Sequence, residues 1–163
     1  MKSVLSVLVN NSSGVLSHVS GLFTRRGYNI DSLSVGATQD VLKSVITLVV
    51  DEDEKMVNQI IKQLYKLVDV IQIDNLTHEE SLKRELVLVK VTVNRKNRTE
   101  LLSLVEAFKA VIVDMNQTSA MLELSGYPRK IEAFIQGMSE FGITEVARTG
   151  TIALAFDIPG KNT

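Results

Sequence analysis

The sequence predicts an α+β protein built as two β-α-β-β-α-β units in tandem. Three observations predict it. Short β-branched apolar runs alternate with stretches in which apolar residues recur at helical spacing. The same order of elements occurs twice. A polar, charged stretch, Thr77 to Arg84, separates the two halves.

The first half opens with a buried strand at Val4-Leu5-Ser6-Val7-Leu8-Val9. Asn10 to Gly14 is a polar turn rich in helix-capping residues. Val15, Leu16, Val19, Leu22 and Phe23 then form the stripe of an amphipathic helix. Arg25 and Arg26 suit its last turn, and Gly27 its C-terminal stop. Ile30 to Val35 alternates apolar and polar, and Ser44 to Val50 is β-branched, so both read as strands. Asp51 to Glu54 precedes a second helix with Val57, Ile60, Ile61 and Leu64 on one face. Val68 to Ile73 closes the half as a strand. This order folds as a ferredoxin-like unit, a four-stranded antiparallel sheet with both helices on one face. The opposite face is left to water or to a partner.

The second half repeats the order. Leu86 to Val93 is a strand. Asn97 and Glu100 stand at capping-box spacing before a helix carrying Leu101, Leu104, Val105 and Phe108. Val111 to Val113 and Met121 to Leu124 are strands. Pro128 fits the first turn of a helix with Ile131, Phe134, Ile135 and Met138 on one stripe. Ile143 to Ala147 and Ile152 to Phe156 are strand-like, and Pro159 to Thr163 reads as a loose tail. The expected division is a first domain at 1–76, a linker at 77–84 and a second domain at 85–163.

Composition excludes several functions. Without cysteine, disulfides, thiolate metal sites and thiol nucleophiles cannot form. A formal net charge of −1 argues against a nucleic-acid binder working through a broad basic face. An RNA-recognition module needs aromatic residues on its central strands, whereas Phe23, Phe108 and Phe134 fall on helices. No apolar run approaches the roughly 20 residues that span a bilayer. Met1-Lys2-Ser3 leads directly into a strand, so no signal or transit segment is expected and the chain reads as cytoplasmic. Neither a Gly-rich dinucleotide fingerprint nor a P-loop occurs.

The turn Asn10-Asn11-Ser12-Ser13-Gly14 carries the most functional information. A helix N-terminus presents unpaired N–H groups and partial positive charge, which suit a carboxylate or phosphate. Gly14 lets a ligand approach the backbone closely. Asn11 can donate and accept, as an amino-acid zwitterion requires. The competing reading is ordinary capping by Asn and Ser. Asp51-Glu52-Asp53-Glu54 lacks the spacing of a calcium loop and reads as a solvated helix start. His18 has no nucleophile elbow to support it.

Five segments resemble the small subunit of acetolactate synthase, also called acetohydroxyacid synthase. They are Ser6 to Leu16, Gly21 to Leu33 with Arg26-Gly27-Tyr28-Asn29-Ile30 at its centre, Lys62 to Val70, Arg84 to Val91, and Glu145 to Gly150. They run in order through nearly the whole chain. The resemblance implies an N-terminal ACT domain that pairs with a second copy and binds an amino acid at the seam. Carried over by position, Asn11, Gly14, Val15 and Leu16 hold the effector from one chain, and Asn29 and Ile30 reach it from the other. The implied effector is valine, with leucine or isoleucine as alternatives. The second domain is implied to engage a separate catalytic large subunit, which carries thiamine diphosphate, magnesium and FAD. This chain is then expected to hold no cofactor, no metal and no catalytic residue. A stand-alone ACT-type sensor acting on another enzyme or a transcription factor is the alternative. Two segments depart from the family's common pattern. Gln39 to Val45 lacks its Asp-Pro pair and later Ser-Arg, and Thr151 to Phe156 replaces a Gly-Leu-Ser-Arg-Gly-like stretch.

Overall fold

The computed structural model describes residues 1–78, 80–157 and 159 and divides into two compact units. The first gathers Met1–Leu82 with the segment from Thr151, and the second is Lys83–Gly150.

The first unit runs β1 (Lys2–Asn10), α1 (Val15–Arg26), β2 (Ile30–Ala37), β3 (Lys43–Asp51), α2 (Glu54–Leu64) and β4 (Val70–Asn75). Its strands form one antiparallel sheet in the order β2-β3-β1-β4. Alternation along β1 decides which face is buried: Leu5, Val7 and Val9 point to the helices and are almost fully buried. They meet Ile46, Leu48 and Val50 of β3, Val15, Val19, Leu22 and Phe23 of α1, and Val57, Ile60 and Leu64 of α2. Each helix thus buries one apolar stripe and leaves its polar side to solvent. Gly27 ends α1 in the left-handed conformation at φ 69°, and the Tyr28 N–H returns to the Phe23 carbonyl at 3.0 Å. Asp53 caps α2, its Oδ1 accepting from the Met56 N–H at 2.7 Å.

The far face of this sheet is not wholly open, as its residues alone suggest. Val4 and Val49, paired across β1 and β3, are covered by Leu76 and by Ala153 of β9 (Ile152–Ala155). Burying that apolar patch gathers the segment from Thr151 with the first unit. A strand begins at Ser81, within the stretch between the two halves. Of the expected tail, residues 160–163 lie outside the described residues.

The second unit is the same motif: β5 (Ser81–Thr92), α3 (Arg98–Phe108), β6 (Val111–Met115), β7 (Ser119–Gly126), α4 (Pro128–Ser139) and β8 (Ile143–Arg148). Its strand order is β6-β7-β5-β8. Val87, Val89 and Val91 of β5 pack with Leu122 of β7, Leu101 and Val105 of α3, and Ile131, Phe134 and Met138 of α4. The expected capping box does not form. The Asn97 side chain accepts from the Asn94 N–H at 2.8 Å instead of capping α3. The Asn94 carboxamide in turn accepts from the Lys96 and Asn97 N–H groups, so a local turn takes up these groups.

Candidate functional site: an uncapped helix opening beside a strand pair

In the first unit a cleft of about 560 Å³ opens where β1 hands over to α1. That volume lies within the range of about 300–1,000 Å³ typical of small-molecule sites. The turn contributes Asn10, Asn11, Ser12 and Gly14; α1 contributes Val15, Leu16, Ser17 and Ser20. Strands β1, β2 and β3 supply Val9, Val35, Ser44 and Ile46. The cleft thus mixes polar, uncharged side chains with apolar ones.

The cap geometry removes ordinary side-chain capping of α1. The N-cap of α1 is Gly14, at φ 85° and ψ 0°, and no side chain caps the helix. The Val15 N–H reaches back to the Ser12 carbonyl at 3.4 Å, and helical bonding starts with the His18 N–H on the Gly14 carbonyl at 2.9 Å. Leu16 and Ser17 thus present first-turn N–H groups toward the cleft without a side-chain acceptor. The Asn and Ser side chains point elsewhere. Asn11 Nδ2 donates to the Val41 carbonyl at 3.1 Å, and Ser12 Oγ donates to Asp69 Oδ1 at 3.0 Å. The Asn11 carboxamide oxygen remains as an acceptor.

None of the side chains lining the cleft is ionisable. A bound charge must be met by the dipole and N–H groups of α1 for an anion, and by carbonyl or carboxamide oxygens for a cation. The apolar surface exposed at the cleft is that of Leu16 and Val35, while Val9, Val15 and Ile46 are buried beneath it.

Four of the six residues expected to hold an effector, Asn11, Gly14, Val15 and Leu16, meet in this cleft. Asn29 and Ile30 do not line it. They follow the far end of α1, whose 12 residues extend about 18 Å from the cleft. Asn29 is exposed, and Ile30 is half-buried against the unit's own core. Sequence reasoning missed Val35, Ser44 and Ile46. They reach the cleft through cross-strand pairing, Val35 opposite Ile46 and Ser44 opposite Val9, which no local pattern announces.

Other chemistry-bearing residues have structural employment. Asp69 Oδ2 lies 3.8 Å from His18 Nδ1 while Asp69 Oδ1 holds the Ser12 hydroxyl. The carboxylate stands between serine and histidine, so the imidazole does not abut the hydroxyl, as it must in a nucleophilic triad. Among the described residues no group of three or more His, Asp or Glu side chains could hold a metal ion. None of their helices is long and apolar enough to cross a membrane. In the second unit, Arg148 Nη2 donates to the buried Glu85 carboxylate at 2.7 Å, and Nη1 to Glu132 at 3.2 Å. The bond to Glu85 raises the guanidinium pKa above its usual value, against the opposing effect of partial burial.

Comparison with known proteins agrees with this architecture. Residues 5–72 match the family model described as an AHAS small subunit-like ACT domain, and residues 84–156 match the one described as the small subunit of acetolactate synthase. A protein of Archaeoglobus fulgidus named as an acetolactate synthase small subunit is 46% identical over 94% of this chain and 96% of its own length. The acetolactate synthase small subunit of Bacillus subtilis is 43% identical, over 95% of this chain and 91% of its own. The crystal structure of the acetolactate synthase small subunit from Thermotoga maritima superposes with a TM-score of 0.88 at 35% identity, covering 97% of this chain and 99% of that one.

Proposed function

This chain belongs to the family of acetolactate synthase small subunits, and we propose that it acts there as a regulatory subunit in branched-chain amino-acid biosynthesis. It binds valine, or leucine or isoleucine, and passes that signal to a separate catalytic large subunit. The observation that carries the reading is the uncapped opening of α1 inside a cleft with no ionisable lining. The effector carboxylate lies against the N–H groups of Leu16 and Ser17, where the helix dipole favours negative charge. Its ammonium meets carboxamide and carbonyl oxygens of the Asn10–Gly14 turn. Its branched side chain lies on the exposed Leu16 and Val35.

A second copy of the chain completes the cleft in this reading. In that pairing Asn29 and Ile30 of one chain reach the cleft of the other. An effector held between two chains couples occupancy to dimer geometry, and dimer geometry is what a catalytic partner can sense. Thiamine diphosphate, magnesium and FAD belong, in this reading, to the large subunit. The chain contributes control and no reacting group. Relatives that match along nearly their full length as small subunits leave a stand-alone sensor without a supporting observation.

Calorimetry on the dimer with valine, leucine and isoleucine tests the sensor claim, and a valine titration of enzyme reconstituted with the large subunit tests the control claim. Saturable binding of at least one of the three, and an activity change over the same concentration range, are expected. Absence of binding to all three would sink the reading.

A further inference from the structure

The Asn10–Gly14 turn has no cap of its own and is held from outside by two loops. On one side the β2–β3 tip receives Asn11: its N–H donates to the Leu42 carbonyl at 2.7 Å and its Nδ2 to the Val41 carbonyl at 3.1 Å. On the other side stands Asp69, in the loop between α2 and β4. Its backbone carbonyl accepts the Asn10 N–H at 2.9 Å. Its carboxylate accepts the Ser12 hydroxyl at 3.0 Å and lies 3.8 Å from His18 Nδ1 on α1. One residue thus reaches the end of β1, the turn and the first turn of α1. The Asp69 side chain is 21% exposed, and its bond to Ser12 is open to solvent. A shift in the β1–β4 register between Leu8 and Val9 sets Val70 opposite Val9 and brings Asp69 over the turn. Asp69 itself does not line the cleft.

We propose that Asp69 is a positioning residue for the cleft: through Ser12 and His18 its carboxylate holds the Asn10–Gly14 turn in the shape that receives the ligand. The proposal rests on reading the cleft as the effector site. The physical reason is pre-organisation. A turn already fixed before binding spares the ligand the entropy of ordering it. Removing the carboxylate leaves the Asn10 backbone bond in place, so the strand end stays anchored while Ser12 and the residues after it gain freedom.

Hydrogen exchange of the ligand-free chain over residues 12–17, together with valine calorimetry, tests this in Asp69→Ala, Asp69→Asn, Ser12→Ala and the Ser12→Ala/Asp69→Ala double variant. The Ser12–Asp69 hydrogen bond is solvent-exposed and is worth about 1 kcal/mol, so Asp69→Ala is expected to speed exchange and weaken valine by about 5–10-fold each. Asp69→Asn can still accept the Ser12 hydroxyl and is expected to recover most of both losses. Ser12→Ala is expected to give a smaller loss and to add nothing on top of Asp69→Ala. Unchanged exchange over residues 12–17 in Asp69→Ala overturns the proposal, as does an Asn variant no better than Ala. Should Asp69→Ala fail to fold, Asp69→Asn and Ser12→Ala decide it: exchange near wild type in the first and faster in the second supports it, and any other pattern overturns it. A wild-type chain that binds no branched-chain amino acid removes the functional reading, and the exchange comparison then decides the role of Asp69 alone.

Discussion

Replacing Gly14 by aspartate separates the ligand site from the fold. Gly14 lies at φ 85°, and a Cβ built on it has 3.9 Å to its nearest neighbours, the His18 ring atoms Cε1 and Nε2. No clash arises, so the cost to the fold comes from the left-handed backbone alone, roughly 1–2 kcal/mol for an ordinary residue and less for aspartate. A carboxylate at a helix N-terminus returns about 0.3–1 kcal/mol. The melting temperature should therefore fall by only a few degrees. The effect on binding is larger. A new carboxylate about 5 Å from the ligand's own repels it by ~0.8 kcal/mol at the dielectric of water and ~3 kcal/mol at an effective dielectric of 20. The ligand's adjacent ammonium offsets part of this repulsion, so a loss of affinity for valine of roughly 4-fold to roughly 50-fold is expected. Gly14→Ala carries the backbone cost without the charge and should lose clearly less. Calorimetry of both variants beside thermal melts measures the difference. Equal affinity in Gly14→Asp and wild type, or equal losses in the Asp and Ala variants, would refute the placement of the ligand carboxylate.

Other substitutions test separate parts of the account. Asn29→Ala should weaken valine by about tenfold, one charge-assisted hydrogen bond across the seam, and leave the melting temperature in place because Asn29 is exposed; a large drop in melting temperature with intact affinity would make its role structural. Arg148→Ala removes the guanidinium partner of the buried Glu85 and should destabilise the second unit by about 1–3 kcal/mol in denaturant melts, with valine affinity unchanged. Asp53→Ala removes the α2 cap and should cost about 1 kcal/mol of stability without altering binding, a control for the effects of destabilising the first unit alone.

Much of this architecture is written in local pattern. The apolar run Val4 to Val9 announces a buried strand, though not which face the helices cover, and the spacing of Val57, Ile60 and Leu64 announces α2. The cleft is legible in the turn before Val15, because a polar run ending in glycine ahead of an apolar stripe is a local signal. What the turn's side chains do is not local. Asn11 and Ser12 look like caps, yet they bond Val41 and Asp69, which lie tens of residues away in sequence and come together only when the sheet forms. Val35 and Ile46 join the cleft by the same non-local pairing. Asn97 and Glu100 have the spacing of a capping box, but Asn94 offers the backbone a competing turn and prevails. The allegiance of Ala153 follows from an apolar patch on the far face of the first sheet, a demand visible only after that sheet is assembled.

The central claim is tested most directly by a crystal structure of the chain grown with excess valine. Valine seated between two copies is predicted, its carboxylate within hydrogen-bond distance of the Leu16 and Ser17 N–H groups and Asn29 of the neighbouring copy closing the other side. Valine bound elsewhere on a folded dimer, with the opening of α1 empty, would contradict it.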